Sequence, residues 1–127
     1  MTQNIFASFI VAPIKDGIAA TTRAADRGEA GKIGLPGGKV DPGETARQAA
    51  ISEANEEGWM MFGVAQTPFH IASVEGHTVA WFTATRATER TTFKEQHRIK
   101  PIIATVEEIS NSGYGNDLAM KAYHGSI

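Results

Sequence analysis

Glu53, Glu56 and Glu57 stand at i, i+3 and i+4. At about 100° per residue they fall within an arc of about 100°, so a helix here carries three carboxylates on one face. Like charges so spaced repel by roughly a few tenths of a kcal/mol per pair. They also crowd the helix C-terminus, where the macrodipole disfavours negative charge. The nearest basic residue in the helix, Arg47, lies about two turns before Glu53. Such a face is either solvated or offset by a divalent cation, because carboxylate oxygens are the hard ligands Mg²⁺ and Ca²⁺ take. Just upstream runs Pro36-Gly37-Gly38-Lys39-Val40-Asp41-Pro42-Gly43, followed by Glu44. Gly37 and Gly38 can bring bare backbone carbonyls or amides up to a metal or phosphate. The loop and the acidic helix together predict a metal–phosphate site.

The helix itself is predicted over Thr45 to Glu57. Thr45 and Gln48 have the spacing of a capping box, Ala46, Ala49, Ala50 and Ala54 favour helix, and Gly58 is a stop. The alanines are also small enough to admit another backbone closely. Phe6 to Val11 reads as a central strand, with Ile18 to Arg23 as its hairpin partner across Lys15-Asp16-Gly17. Arg27 to Lys32 reads as loop, Ile33 to Leu35 as a short strand, and the Gly/Pro-rich segment after it as neither helix nor strand. Phe69 to Val74 and Thr78 to Thr85 read as strands joined at Glu75-Gly76-His77. In the second of these Trp81 and Phe82 alternate, so one is expected to enter the core while the other faces the opposite side. Arg86 to Arg98 reads as a long polar connection, Pro101 to Val106 as a strand, Glu107-Glu108 as a turn into a short helical segment, and Asn116 to Tyr123 as a closing helix. The pattern is mixed α/β (α+β), one sheet flanked by helices.

A length of 127 residues fits a single domain spanning 1–127. The absence of Cys excludes disulfide scaffolds, thiolate nucleophiles and zinc–thiolate or iron–sulfur sites. A formal charge of −2 argues against a broadly basic surface for a nucleic-acid polymer. The apolar run Ile5 to Ile14 is too short to span a membrane, has no preceding Lys or Arg, and carries Ser8 and Pro13. It reads as a buried strand, and a cytoplasmic protein is expected. His70, His77, His97 and His124 show no metal-ligand spacing and are read as ordinary.

Gly38, five residues, Glu44, seven residues, then Ser52-Glu53-Ala54-Asn55-Glu56-Glu57 resembles the Nudix box of the Nudix hydrolases, Gly-x5-Glu-x7-Arg-Glu-U-x-Glu-Glu-x-Gly-U, with U a bulky aliphatic residue. Gly38 and all four acidic positions align without a gap. Ser52 replaces the family Arg, which holds a catalytic carboxylate in place. Ala54 is small for the aliphatic position, and Gly58-Trp59 puts the glycine one residue early. Arg47 and Lys39 are the cations available to stand in for the missing Arg. The likeness extends to Thr22-Arg23-Ala24-Ala25-Asp26, Leu35 to Lys39, His77 to Phe82 and Gly115-Asn116-Asp117, which resemble the MutT-type branch acting on nucleoside triphosphates. The ADP-ribose and dinucleoside polyphosphate branches tend to carry a Pro or a Tyr past the box, where this chain has residues such as Glu75, Gly76 and His77.

The resemblance implies a Nudix-like fold, a mixed sheet sandwiched between helices. It implies that Glu53, Glu56 and Glu57, the Gly38 carbonyl and Glu95 bind Mg²⁺ or Mn²⁺, with Glu53 nearest the attacking water. Arg23, Lys39 and Asn116 would contact a small-molecule nucleotide, Asn116 at a purine edge. Gly37, Glu44 and Ser52 would be structural or outer-shell residues. The implied reaction converts a nucleoside triphosphate, with oxidised purines such as 8-oxo-dGTP foremost, into monophosphate and pyrophosphate. A different nucleoside diphosphate linked to X, or a nucleotide-binding module with weakened catalysis, is the alternative. No membrane or nucleic-acid polymer is expected as partner, and either a monomer or a homodimer is compatible.

Overall fold

The computed structural model describes residues 4–23 and 32–125, Arg23 and Gly125 by their backbone alone. In chain order the elements are β1 (Ala7–Val11), β2 (Pro13–Ile14), β3 (Gly17–Arg23), β4 (Ile33–Gly34), β5 (Gly37–Lys39) and α1 (Ala46–Glu56). There follow β6 (Trp59–Phe62), β7 (His70–Val74), β8 (His77–Thr83), β9 (Arg86–Glu89), β10 (Ile99–Ala104), α2 (Val106–Ser110) and α3 (Asn116–Gly125). One sheet has the order β5-β1-β8-β7, with β1 parallel to β8 and the other pairs antiparallel. A second sheet runs β10-β3-β2 with β4 also on β3, and β6 pairs with β9.

The first sheet separates two cores. Val79 and Trp81 of β8 join Ala7 and Val11 of β1, Ile109 of α2, and Ala119 and Met120 of α3 in one cluster. Ala80 and Phe82 join Ile10, with Ala50 and Ala54 of α1 and Trp59 of β6, in the other. Trp81 and Phe82 therefore face opposite ways and both are buried, because this sheet has helices on both sides. The mixed α+β architecture agrees with the expected sandwich, but in place of the single sheet expected the described residues form two four-stranded sheets and one two-stranded sheet. Among the described residues no helix is long and apolar enough to cross a membrane.

Helix α1 begins where its local chemistry dictates: Thr45 Oγ1 accepts from Gln48 N, and Gln48 Oε1 accepts from Thr45 N. Ala49, Ala50 and Ala54 are fully buried, so the helix lies close against β1, and the buried Ser8 hydroxyl of β1 donates to the Ala46 carbonyl at 2.7 Å. A second capping box, Thr105 with Glu108, starts α2 where the acidic pair predicted a short helical segment.

Three strand expectations need correction. Lys15-Asp16 does turn the chain, but β3 pairs with the two-residue β2, not with β1. The chain leaves the first sheet at Ala12, and β1 takes β5 and β8 as neighbours. The Gly-rich segment contains a strand after all, because Gly37–Lys39 pairs with Ala7–Phe9. Within the long polar connection, Arg86–Glu89 forms β9 against Trp59–Phe62. In the last two cases the partner lies outside the local window that propensity reads. Of the loop expected over Arg27 to Lys32, all but Lys32 lies outside the described residues, as do Ala24, Ala25 and Asp26.

Candidate active site

A cleft of about 570 Å³ opens between β5, the C-terminal end of α1, the 90–98 connection and the α2–α3 loop. Gly37, Gly38, Lys39, Glu53, Glu57, Glu95 and Asn116 all line it, which brings together most of the residues singled out above.

Gly37 is required on two counts. Its φ of +145° is one that side chains rarely adopt, and a Cβ there would strike the Ser8 carbonyl oxygen and lie 2.7 Å from Phe9 Cα. Its freed N–H donates to Glu57 Oε1 at 2.9 Å. Gly38 pairs with Ser8 in the sheet, and a Cβ on it would lie 3.1 to 3.2 Å from Glu53 Cγ, Cδ and Oε2. The bare backbone of Gly38 thus packs directly on the Glu53 carboxylate.

Helix α1 ends at Glu56, so Glu57 is its C-cap, with φ −97° and ψ 5°. Even so, it is not Glu57 that leaves the shared face. Glu53 and Glu57 line the cleft, whereas Glu56 is outside its lining and reaches Lys94 Nζ at 3.5 Å. Gly58 ends the helix one residue ahead of the family pattern. Trp59 then enters the core and donates from Nε1 to the Ala20 carbonyl at 2.7 Å.

Glu95 arrives because the 90–98 connection is laced to the end of α1: Arg90 N donates to Gly58 O and Glu95 N to Glu56 O, each at 2.8 Å. Arg98 Nη1 grips both Glu95 oxygens at 3.1 and 3.3 Å. Arg98 also lines the cleft. Sequence reading passed over Arg98; the i, i+3 spacing from Glu95 was the available signal.

Glu44 anchors its own loop, Oε1 accepting from Asp41 N at 3.0 Å. Ser52 is exposed on α1 and outside the cleft lining. Arg47 does not substitute for the family Arg, since its guanidinium donates to the Val64 and Ala65 carbonyls at 3.0 and 3.1 Å. Lys39 Nζ lies 5.4 Å from the centre of the Phe6 ring at the cleft wall. Arg23 is the last residue of β3, opposite Ile99, and its side chain lies outside what is described. Asn116 is buried at the start of α3; its Oδ1 accepts from Trp81 Nε1 at 3.1 Å and its Nδ2 donates to Ser112 Oγ at 2.9 Å.

Burial raises the Glu53 pKa above its usual 4.5, and the negative charges of Glu56, Asp41, Glu44 and Glu95 push it further the same way. Among the described residues no three acidic or imidazole groups converge into a preformed metal cage. Glu57, Glu56 and Glu95 are instead turned to Gly37, Lys94 and Arg98. The donor set nevertheless fits a hard divalent cation: the half-buried Glu53 carboxylate stands among the negative charges of Glu56, Asp41, Glu44 and Glu95, and a side-chain-free backbone packs against it.

The model of the NUDIX domain family matches residues 5–109. The chain belongs to this family. It is 38% identical over 73 residues to the 8-oxo-dGTP diphosphatase of Escherichia coli (strain K12), a match covering 51% of this chain and 52% of that protein. The matched part thus spans about half the length of this curated relative. The fold is similar to the crystal structure of a MutT NUDIX hydrolase from Burkholderia pseudomallei, with a TM-score of 0.71, 19% identity, and 95% of this chain and 98% of that one covered. An ADP compounds hydrolase superposes with a TM-score of 0.71 at 18% identity, covering 94% of this chain and 70% of that one.

Proposed function

We propose that this chain is a divalent-metal-dependent hydrolase that adds water across the diphosphate linkage of a nucleoside triphosphate, giving monophosphate and pyrophosphate. An oxidised purine deoxynucleotide such as 8-oxo-dGTP is the leading substrate. The observation that carries this reading is the packing of Gly38 on Glu53 in a cleft that also holds Glu57 and Glu95. The 38% identity to an 8-oxo-dGTP diphosphatase supports the choice of substrate.

Glu53, Glu56, Glu57, Glu95 and the Gly38 carbonyl are the groups that would hold Mg²⁺ or Mn²⁺. When bound, such a cation offsets phosphate charge and lowers the pKa of water. Glu53, packed against Gly38 in the cleft, is the carboxylate suited to accept a proton from the attacking water or to hold the cation. Glu57, tied to Gly37, keeps the loop and the helix end at a fixed separation. Lys39 and Arg98 supply positive charge at the cleft wall for phosphate oxygens. The whole of 1–127 is taken as one domain, in a protein of the cytoplasm.

The test is a panel of canonical and oxidised nucleoside triphosphates, ADP-ribose and dinucleoside polyphosphates, assayed with Mg²⁺ and with Mn²⁺ for pyrophosphate and phosphate release. Selective pyrophosphate release that Glu53→Gln abolishes supports the proposal. Turnover of ADP-ribose alone moves the chain to that branch. Nucleotide binding without any turnover makes it a binding module.

A further inference from the structure

The α2–α3 loop contains a backbone cost that the hydrolytic groups do not explain. Gly113, Tyr114 and Gly115 all have positive φ, at +82°, +55° and +75°. For a tyrosine this conformation is rare and unfavourable, and such strain persists where surrounding structure over-determines it. Here it does. A Cβ on Gly115 would lie 2.9 Å from Val74 Cγ2 and 3.2 Å from Trp81 Cη2, so the loop is pressed onto the sheet. The next residue, Asn116, is held by Trp81 Nε1 and Ser112, and Ser112 Oγ in turn donates to the Ile109 carbonyl at 2.6 Å.

Between these fixed points Tyr114 is turned into the cleft, not into the core. It remains 37% exposed, lines the cavity, and meets Phe9 edge to face at 5.7 Å and 79°. Phe9 rests in turn on Trp81 at 6.3 Å. An aromatic ring is thus positioned at the cleft wall, beside an immobilised amide. Burial and the Glu75 carboxylate both raise the Tyr114 pKa, so its hydroxyl stays a neutral donor.

We infer that Tyr114 is a specificity-determining residue: a pre-positioned stacking wall for the base of the nucleotide, which favours the larger purine ring over a pyrimidine. This rests on reading the cleft as a nucleotide site, but not on turnover. Stacking depends on the area of π-face, which is greater for a purine, and holding the ring in place beforehand avoids the entropy cost of ordering it on binding.

The test compares wild type with Tyr114→Phe, Tyr114→Gly and Tyr114→Asn by calorimetric titration with GMP, CMP and ribose 5-phosphate, alongside thermal melting. Gly and Asn both tolerate positive φ, so either variant gives a folded comparison. Expected results are GMP affinity lowered about five- to a hundredfold in Gly and Asn, ribose 5-phosphate affinity unchanged, near-wild-type binding in Phe, and a melting temperature that Gly does not lower. In turnover, KM for a purine triphosphate should rise with kcat retained. Equal GMP affinity in wild type and Tyr114→Gly overturns the inference, as does equal weakening of GMP and ribose 5-phosphate. Triphosphate hydrolysis with no preference for GMP over ribose 5-phosphate overturns it while leaving the hydrolase reading intact. Tyr114-dependent GMP binding without hydrolysis upholds it while the hydrolase reading fails.

Discussion

Trp81 Nε1 donates to Asn116 Oδ1 at 3.1 Å, joining the central strand β8 to the first residue of α3 through two buried side chains. The Asn116 amide also donates to Ser112, so the residue expected at a purine edge is at the same time a fold element. Asn116→Ala strands the indole N–H in the core and should cost about 1–3 kcal/mol of stability. It should also reduce selectivity among purine nucleotides. Chemical denaturation and competition kinetics measure the two effects; unchanged stability would remove the structural role.

Gly37 and Glu57 are coupled by the 2.9 Å bond that ties the Gly-rich strand to the end of α1. Glu57→Gln retains an oxygen acceptor but loses the charge. Turnover should fall about 10²-fold or more with the fold retained. Glu57→Ala loses the acceptor too and should destabilise by a further amount of about 1–3 kcal/mol. Identical unfolding curves for the two variants would contradict the role of the bond.

Gly38→Ala puts a methyl group 3.1 to 3.2 Å from three atoms of the Glu53 side chain. The flexible end of Glu53 gives way more readily than the paired backbone, so the carboxylate moves. A displacement of about 1 Å at a reacting group costs roughly 10²-fold in rate. The expected signature is a loss of kcat with little change in melting temperature; a variant as active as wild type would refute it.

Glu53 has a folded-state pKa above 4.5 because burial and its acidic neighbours disfavour the charged form. Folding therefore favours the protonated carboxyl. The stabilising contribution is fully present below the unfolded-state pKa and is lost as pH rises through the folded value. In metal-chelating buffer, Glu53→Gln should melt higher than wild type at pH 7, with the difference vanishing below pH 4.5. Added Mg²⁺ should narrow the gap at pH 7 by stabilising wild type. A gap independent of pH would exclude the charge as its origin.

Arg98 holds both oxygens of Glu95 at 3.1 and 3.3 Å, with side chains 43% and 25% exposed. At that exposure the pair contributes about 0–1 kcal/mol to stability. Its larger consequence is competition, since the guanidinium occupies oxygens that would otherwise be free for a cation. Arg98→Ala should leave stability nearly unchanged and lower the Mg²⁺ concentration for half-maximal activity. A raised Mg²⁺ requirement would reverse the assignment.

What the sequence determined by itself is local. The capping boxes of Thr45 with Gln48 and Thr105 with Glu108 act over four residues, so α1 and α2 begin where their side chains say. The tight turn at Glu75-Gly76 and the opposite orientation of Trp81 and Phe82 follow from residue type and the two-residue repeat of a strand. The spacing from Gly38 to Glu57 carried the family in the same way. Tertiary structure decided whatever depends on a distant partner. Gly37–Lys39 becomes a strand only because β1, some thirty residues earlier, offers an edge. Glu56 parts from Glu53 and Glu57, which share the cleft, and pairs with Lys94 of the distant 90–98 connection. Arg98 and Tyr114 come to the cleft through the lacing of Glu95 to Glu56 and the pressing of Gly115 on Trp81. Hydrogen bonds within one turn are written in adjacent residues, whereas those that assemble a cleft form only once the chain has closed on itself.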